Sequence, residues 1–146
     1  MKCEGFTCVD ASPHDTETVK SDVFDWLLFK KDIEEIYTKN LLEHVANPGR
    51  LLTMSFDALR KGGKVTVITD NAEFLPFYLP FWFQHTGIGA HARDDYAMSA
   101  EHNNSHHYGV YSKMHLTNLL RYAGFDFIHV KRVLYGSRLE AVGFKP

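Results

Sequence analysis

The spacing of apolar and polar positions changes period several times along the chain. Gly5-Phe6-Thr7-Cys8-Val9-Asp10 is a short β-prone run that ends in an acid. Ala11-Ser12-Pro13-His14-Asp15 reads as a loop. Thr18–Val23 reads as a second strand reaching an acid at Asp22, and Phe24–Phe29 as a loop or short helical turn. Ile33, Ile36 and Tyr37 supply a third strand, with Leu41-Leu42-Glu43-His44 at its carboxyl end. Asn47-Pro48-Gly49 is a breaker. Helical spacing over Leu51, Leu52, Met54 and Leu59 then stops at Lys61-Gly62-Gly63, where the glycines predict a left-handed helix C-cap. Lys64–Thr69 is the next strand and ends at Asp70. The stretch Ile33–Asp70 is therefore a βαβ unit, the centre of the predicted sheet.

Beyond Asp70 the periodicity is lost until Ser112. Residues 73–113 predict a lid or insertion, because loops beyond about 12–15 residues in compact domains are usually functional or disordered. Its aromatic residues, Phe74, Phe77, Tyr78, Phe81, Trp82 and Phe83, suit a pocket for a flat or apolar molecule. Ser112 then reads as an N-cap. Met114, Leu116, Leu119, Leu120 and Ala123 form a helical face that stops at Gly124. Phe125–Val133 and Arg138–Phe144 are the last two strands, joined through Tyr135-Gly136-Ser137 as an antiparallel hairpin.

Composition adds bounds. The 146 residues suit a single domain spanning 1–146, with no repeat or linker to divide it. The formal net charge of −2 argues against a generic nucleic-acid or anionic-membrane binder. No stretch reaches the ~20 apolar residues of a membrane helix. With no secretory signal pattern at the start, a cytoplasmic protein is expected. Cys8 lies in an apolar run and reads as a small buried thiol; Cys3 is the only other cysteine. His102 and His106 are spaced i, i+4, which on a helix would suit zinc. Asn103-Asn104 and Gly109 argue against a helix there and no cysteine lies near, so no metal is expected and His102–His107 read as pocket lining or surface.

Three runs together resemble a known family. They are Glu34-Glu35-Ile36-Tyr37-Thr38-Lys39-Asn40-Leu41-Leu42-Glu43-His44-Val45, Leu59-Arg60-Lys61-Gly62-Gly63-Lys64, and Leu119-Leu120-Arg121-Tyr122-Ala123-Gly124-Phe125. Their order and context are similar to the central block of class I S-adenosylmethionine-dependent methyltransferases. The resemblance implies an α/β, Rossmann-like methyltransferase fold, mostly parallel with an antiparallel C-terminal hairpin. It also implies S-adenosyl-L-methionine as cofactor and S-adenosyl-L-homocysteine as product. In Val9-Asp10-Ala11-Ser12, Asp10 matches the acid that accepts from the ribose hydroxyls, with Ala11 beside it. Asp22 matches the acid that receives the adenine amino group, with Asp25 as the fallback, and the Val23 N–H would meet a ring nitrogen. Lys39, Asn40 and Leu41 would border the methionine end, with His44 as a candidate proton acceptor near its unperturbed pKa of about 6.5. Asp70, Asn71, Phe74 and Tyr78 would face the methyl acceptor, whose identity the sequence leaves open.

The family's glycine-rich loop should precede Asp10 by about twenty residues, and only nine stand there. The expectation is either a reduced form of the fold or a chain that has lost its start and its activity with it. Its uncovered sheet surface would be closed by self-association as a homodimer. Two other readings stand beside methyl transfer. One is a non-catalytic binding or assembly module that keeps the fold; the other is a metal-assisted hydrolase on the His102–His107 cluster.

Overall fold

The computed structural model describes residues 5–11, 13, 16–75 and 108–146. The elements in order are β1 (Val9–Asp10), β2 (Val19–Lys20), α1 (Val23–Leu28), β3 (Ile33–Lys39), a 3₁₀ turn (Leu42–His44), α2 (Pro48–Ala58), β4 (Leu59–Asp70), α3 (Lys113–Tyr122), β5 (Asp126–Val133) and β6 (Arg138–Phe144).

The main sheet has the order β3-β4-β6-β5. β3 and β4 pair in parallel, while β6 is antiparallel to both β4 and β5. So β3, β4 and β5 run one way and β6 alone runs against them: a mostly parallel sheet with an antiparallel C-terminal hairpin. β1 and β2 form a separate parallel pair. Among the described residues, β3 is hydrogen-bonded as a strand to β4 alone, so its outer edge is open.

Alternation along the strands divides the sheet into two different faces. Val65 and Val67 of β4 and Leu139 and Ala141 of β6 are buried against Leu51 and Leu52 of α2 and Leu116 and Leu120 of α3. Leu27 of α1 joins the same cluster. The other face carries cross-strand ion pairs, Glu35–Lys64 at 3.1 Å and Lys131–Glu140 at 2.7 Å. Opposite charges placed directly across a ladder suit a face that remains polar.

Several boundaries differ from those the sequence predicts. The second strand is only Val19–Lys20, and Asp22 ends the approach to α1 as its N-cap, accepting from Phe24 N at 2.8 Å. Asn47-Pro48-Gly49 does not interrupt the chain; it starts α2. The Asn47 side chain accepts from Arg50 N at 2.9 Å, and Pro48 takes the first helical position, where a missing N–H costs nothing. Gly62-Gly63 do not cap that helix. α2 ends at Ala58, and Leu59 is already extended. Between the pairs Ile33–Leu59 and Glu35–Lys64, β3 advances two residues and β4 five, so Arg60–Gly63 form a bulge. Gly62 takes φ +72°, and a Cβ on Gly63 would lie 2.8 Å from the Arg60 carbonyl oxygen. Gly62 N donates to Lys145 O and Lys145 N to Gly63 O, both at 2.9 Å, so the end of the chain clamps the bulge. Cys8 is disulfide-bonded, contrary to the expected thiol; Cys3 lies outside the described residues. Its short spacing to the one other cysteine carries no periodicity from which a bridge could be read.

The predicted N-cap at Ser112 is present, accepting from His115 N, and Gly124 leaves α3 at φ +103°. The two described ends of the insertion meet: Ala72 N donates to Tyr111 O at 2.9 Å, and Asn71 bridges Tyr111. No helix among the described residues is long and apolar enough to cross a membrane.

Candidate functional site

The parallel pairing of β1 and β2 brings two acids to adjacent strand tips. Ser21 N donates to the Asp10 carbonyl oxygen at 3.0 Å, placing Asp22 beside the exposed Asp10 and Ala11. One oxygen of Asp22 holds the first turn of α1, and Val23 is the first helical residue. Its N–H belongs to the set of first-turn donors that have no partner within a helix.

At the end of β3 the backbone turns sharply. Lys39 and Asn40 are exposed, and Asn40 takes φ +53° while its N–H still donates to Ile68 O at 2.9 Å. Asparagine tolerates this left-handed conformation better than most residues. The turn directs Leu41 into the 3₁₀ turn, where His44 is half-buried and its N–H returns to Leu41 O at 3.0 Å.

Glu43 goes inward. It is 1% exposed, and the Thr69 hydroxyl donates to its carboxylate at 2.7 Å. Burial raises its pKa above the ordinary 4.5; the Thr69 bond opposes that shift, as does nearby His44, while Asp70 adds to it. The backbone on either side is fastened to the far end of the insertion. Tyr108 N donates to Glu43 O at 2.7 Å, and the Tyr111 hydroxyl donates to Leu42 O at 3.1 Å. Burial, with the charge of Glu43 second, pushes the Tyr111 phenol up to about 12.

Asp70, Asn71 and Phe74 meet the β5–β6 turn at the end of β4. Asn71 is buried and committed: its Nδ2 donates to Gly136 O at 2.7 Å and its Oδ1 accepts from Glu73 N at 3.0 Å. Phe74 lies under the turn, within 3.7 Å of where a Gly136 Cβ would be. Asp70 faces Arg138, with Oδ1 and Nη2 3.7 Å apart. Among the described residues, Arg138 Nη1 is buried without a hydrogen-bond partner. Sequence reading missed Arg138, Thr69 and Tyr111 because each sits in a run that explains itself as strand or cap. The one available signal was the alternation that puts Asp70 and Arg138 opposite each other. Tyr78 and the histidines of 102–107 lie outside the described residues. Among the described residues, no group of three or more His, Cys, Asp or Glu side chains could hold a metal ion.

These features together define an α/β sheet whose polar strand tips carry a candidate nucleoside site. A family model described as a methyltransferase domain matches residues 3–130. The chain belongs to the class I S-adenosylmethionine-dependent methyltransferase family. Its fold is similar to that of a SAM-dependent methyltransferase from Thermotoga maritima, at 21% identity and TM-score 0.60, covering 88% of this chain and 64% of that one. A SAM-dependent methyltransferase from Archaeoglobus fulgidus gives 12% identity and TM-score 0.58, covering 88% and 67%. Human N-acetylserotonin methyltransferase, solved in complex with SAM, gives 15% and 0.56, covering 91% and 35%. The chain thus spans between about a third and two thirds of the length of these structures. No curated protein matches the chain in sequence.

Proposed function

We propose that the protein binds S-adenosyl-L-methionine and transfers its methyl group to an acceptor not yet identified. The observation that carries the reading is the placement of Asp10 beside Asp22 at neighbouring strand tips, within a chain of this family. The residues present fit the cofactor. An exposed carboxylate at Asp10 offers two acceptor oxygens to vicinal ribose hydroxyls. Asp22 keeps one oxygen clear of its capping bond for an adenine amino group, and the Val23 N–H is among the first-turn donors that a helix leaves without an internal partner. The cofactor supplies an electrophilic methyl group on a sulfonium, which leaves as the neutral thioether of S-adenosyl-L-homocysteine.

The protein's part is to hold and orient. Lys39, the strained turn at Asn40, and Leu41 form the wall of the methionine end. His44 is placed to take the proton that an oxygen or nitrogen acceptor loses. We assign Asp70 and Phe74 to the acceptor, with Tyr78, which lies outside the described residues, as a further candidate by its place in the sequence, and Asn71 contributes by fixing the β5–β6 turn. Positioning of this kind can supply several kcal/mol of rate, of the order of ~7–11 kcal/mol in favourable intramolecular cases, without a protein nucleophile. We place the protein in the cytoplasm as a single domain whose segment 73–113 covers the site. The open edge of β3 is the surface on which a homodimer would close.

Ultraviolet cross-linking with methyl-tritiated S-adenosylmethionine tests the reading. The wild type is labelled, S-adenosylhomocysteine competes the label away, and Asp10→Ala is labelled several-fold less. Labelling no greater than that of heat-denatured protein contradicts it.

A further inference from the structure

We infer that Arg138 and the Leu134–Tyr135 turn anchor the methyl acceptor, and that the acceptor is an aromatic molecule carrying a carboxylate. The inference rests on the methyltransferase reading above and specifies its acceptor. The turn between β5 and β6 is unusual in composition. Leu134, Tyr135 and Gly136 take φ +49°, +56° and +91° in succession. Left-handed backbone at consecutive positions favours Gly, Asn or Asp. Here the first two are a leucine and a tyrosine, both large and both directed to solvent: Leu134 is 55% exposed and Tyr135 fully so.

The turn is held rigidly in that shape. Asn71 Nδ2 donates to Gly136 O, Asn71 N donates to Ser137 O at 3.0 Å, and Ser137 Oγ donates to Leu134 O at 2.7 Å. A connecting turn does not require such fastening, nor apolar side chains at its tip. A preorganised aromatic platform does, because ordering it in advance removes that cost from binding. Phe74 lies against the same turn from below.

Arg138 opens β6 one residue beyond Ser137. Its Nη2 forms an ion pair with Asp70 at 3.7 Å, longer than a hydrogen bond, and its Nη1 is buried with no hydrogen-bond partner among the described residues. An orphaned guanidinium nitrogen is rare in a native fold and calls for an acceptor. The planar fork of arginine matches a carboxylate in two parallel bonds. The aromatic body of the ligand would lie over Tyr135, with its carboxylate turned toward Arg138.

Benzoate and its neutral isostere benzamide test this by NMR on the ¹⁵N-labelled full chain, with and without S-adenosylhomocysteine. Benzoate is expected to shift the amides of residues 134–138 and to bind about tenfold more tightly than benzamide, the difference made by a hydrogen bond to a charged group. Arg138→Gln is expected to erase the preference, Arg138→Lys to keep part of it, and Tyr135→Ala to weaken both ligands. Equal binding of the two, absence of binding, or shifts confined to other residues overturns the inference without any variant having to fold. Calorimetry with S-adenosylhomocysteine on the same sample separates the two claims. Cofactor binding without a carboxylate preference sinks only the acceptor class. A carboxylate preference without cofactor binding sinks methyl transfer and leaves an aromatic-acid site.

Discussion

Burial takes the Glu43 carboxyl out of water where β3 turns toward α2. Its pKa is raised above 4.5 chiefly by that desolvation, so the folded chain holds the proton more tightly than the unfolded chain. The resulting stability is fully present below 4.5 and is lost as pH rises through the folded value. Urea unfolding should therefore show the wild type weakening from about pH 4.5 toward neutrality relative to Glu43→Gln, which lacks the titration. Parallel profiles would refute this assignment. The Tyr111 phenol behaves in the same sense between its ordinary 10.0 and about 12, losing stability as alkali ionises the unfolded chain first. At the cofactor end, Asp10→Ala should weaken S-adenosylhomocysteine by at least about tenfold, since hydrogen bonds to a charged group contribute roughly 1.5–3 kcal/mol. The acid at Asp10 was legible in the sequence because it ends a β-prone run. The inward turn of Glu43 was not, because a polar residue in a three-residue turn has no period to reveal its direction.

The ends of α2 show how elements are set by contacts distant in sequence. Its start obeys local chemistry, with Asn47 as cap and Pro48 at the first position, although the same residues also read as a breaker. Its end depends on the last residues of the chain. Lys145 Nζ donates to the Phe56 and Leu59 carbonyl oxygens, each at 2.8 Å, and lies 4.8 Å from the Phe56 ring centroid. No local pattern announces a lysine cap supplied from so far along the chain, and the Gly-Gly pair nearby offers a plausible but wrong substitute. Lys145→Met should cost about 1–2 kcal/mol by leaving those carbonyls unpaired. That would appear in a thermal melt as a fall of several degrees. Gly63→Ala should cost more, since its Cβ would press on the Arg60 backbone oxygen and strain the bulge. A melt unchanged by Gly63→Ala would show that the bulge is not clamped as described. β5, β6 and α3, by contrast, follow alternation and helical spacing closely, because each turns one face toward a single core, whereas β4 is buried on both faces from Val65 to Asp70.

At the scale of the molecule, one sheet face is packed by α2 and α3, with α1 against α2, and the other carries cross-strand ion pairs, while among the described residues β3 is paired as a strand to β4 alone. An unpaired edge is a template for another strand. Sedimentation velocity at micromolar concentration should show a species of two chains; a single-chain species throughout would remove the homodimer from the account. The family and the strand directions were legible from three sequence runs, because their order reflects the βαβ topology. The association and the acceptor were not, because both depend on surfaces that periodicity leaves unspecified. The central claim is that the strand tips at Asp10 and Asp22 bind the cofactor. Isothermal calorimetric titration with S-adenosylhomocysteine tests it most directly. The account predicts saturable heat at one site per chain, weakened about tenfold or more by Asp10→Ala. Undetectable heat at millimolar ligand, or an Asp10→Ala protein that binds like the wild type, would contradict it.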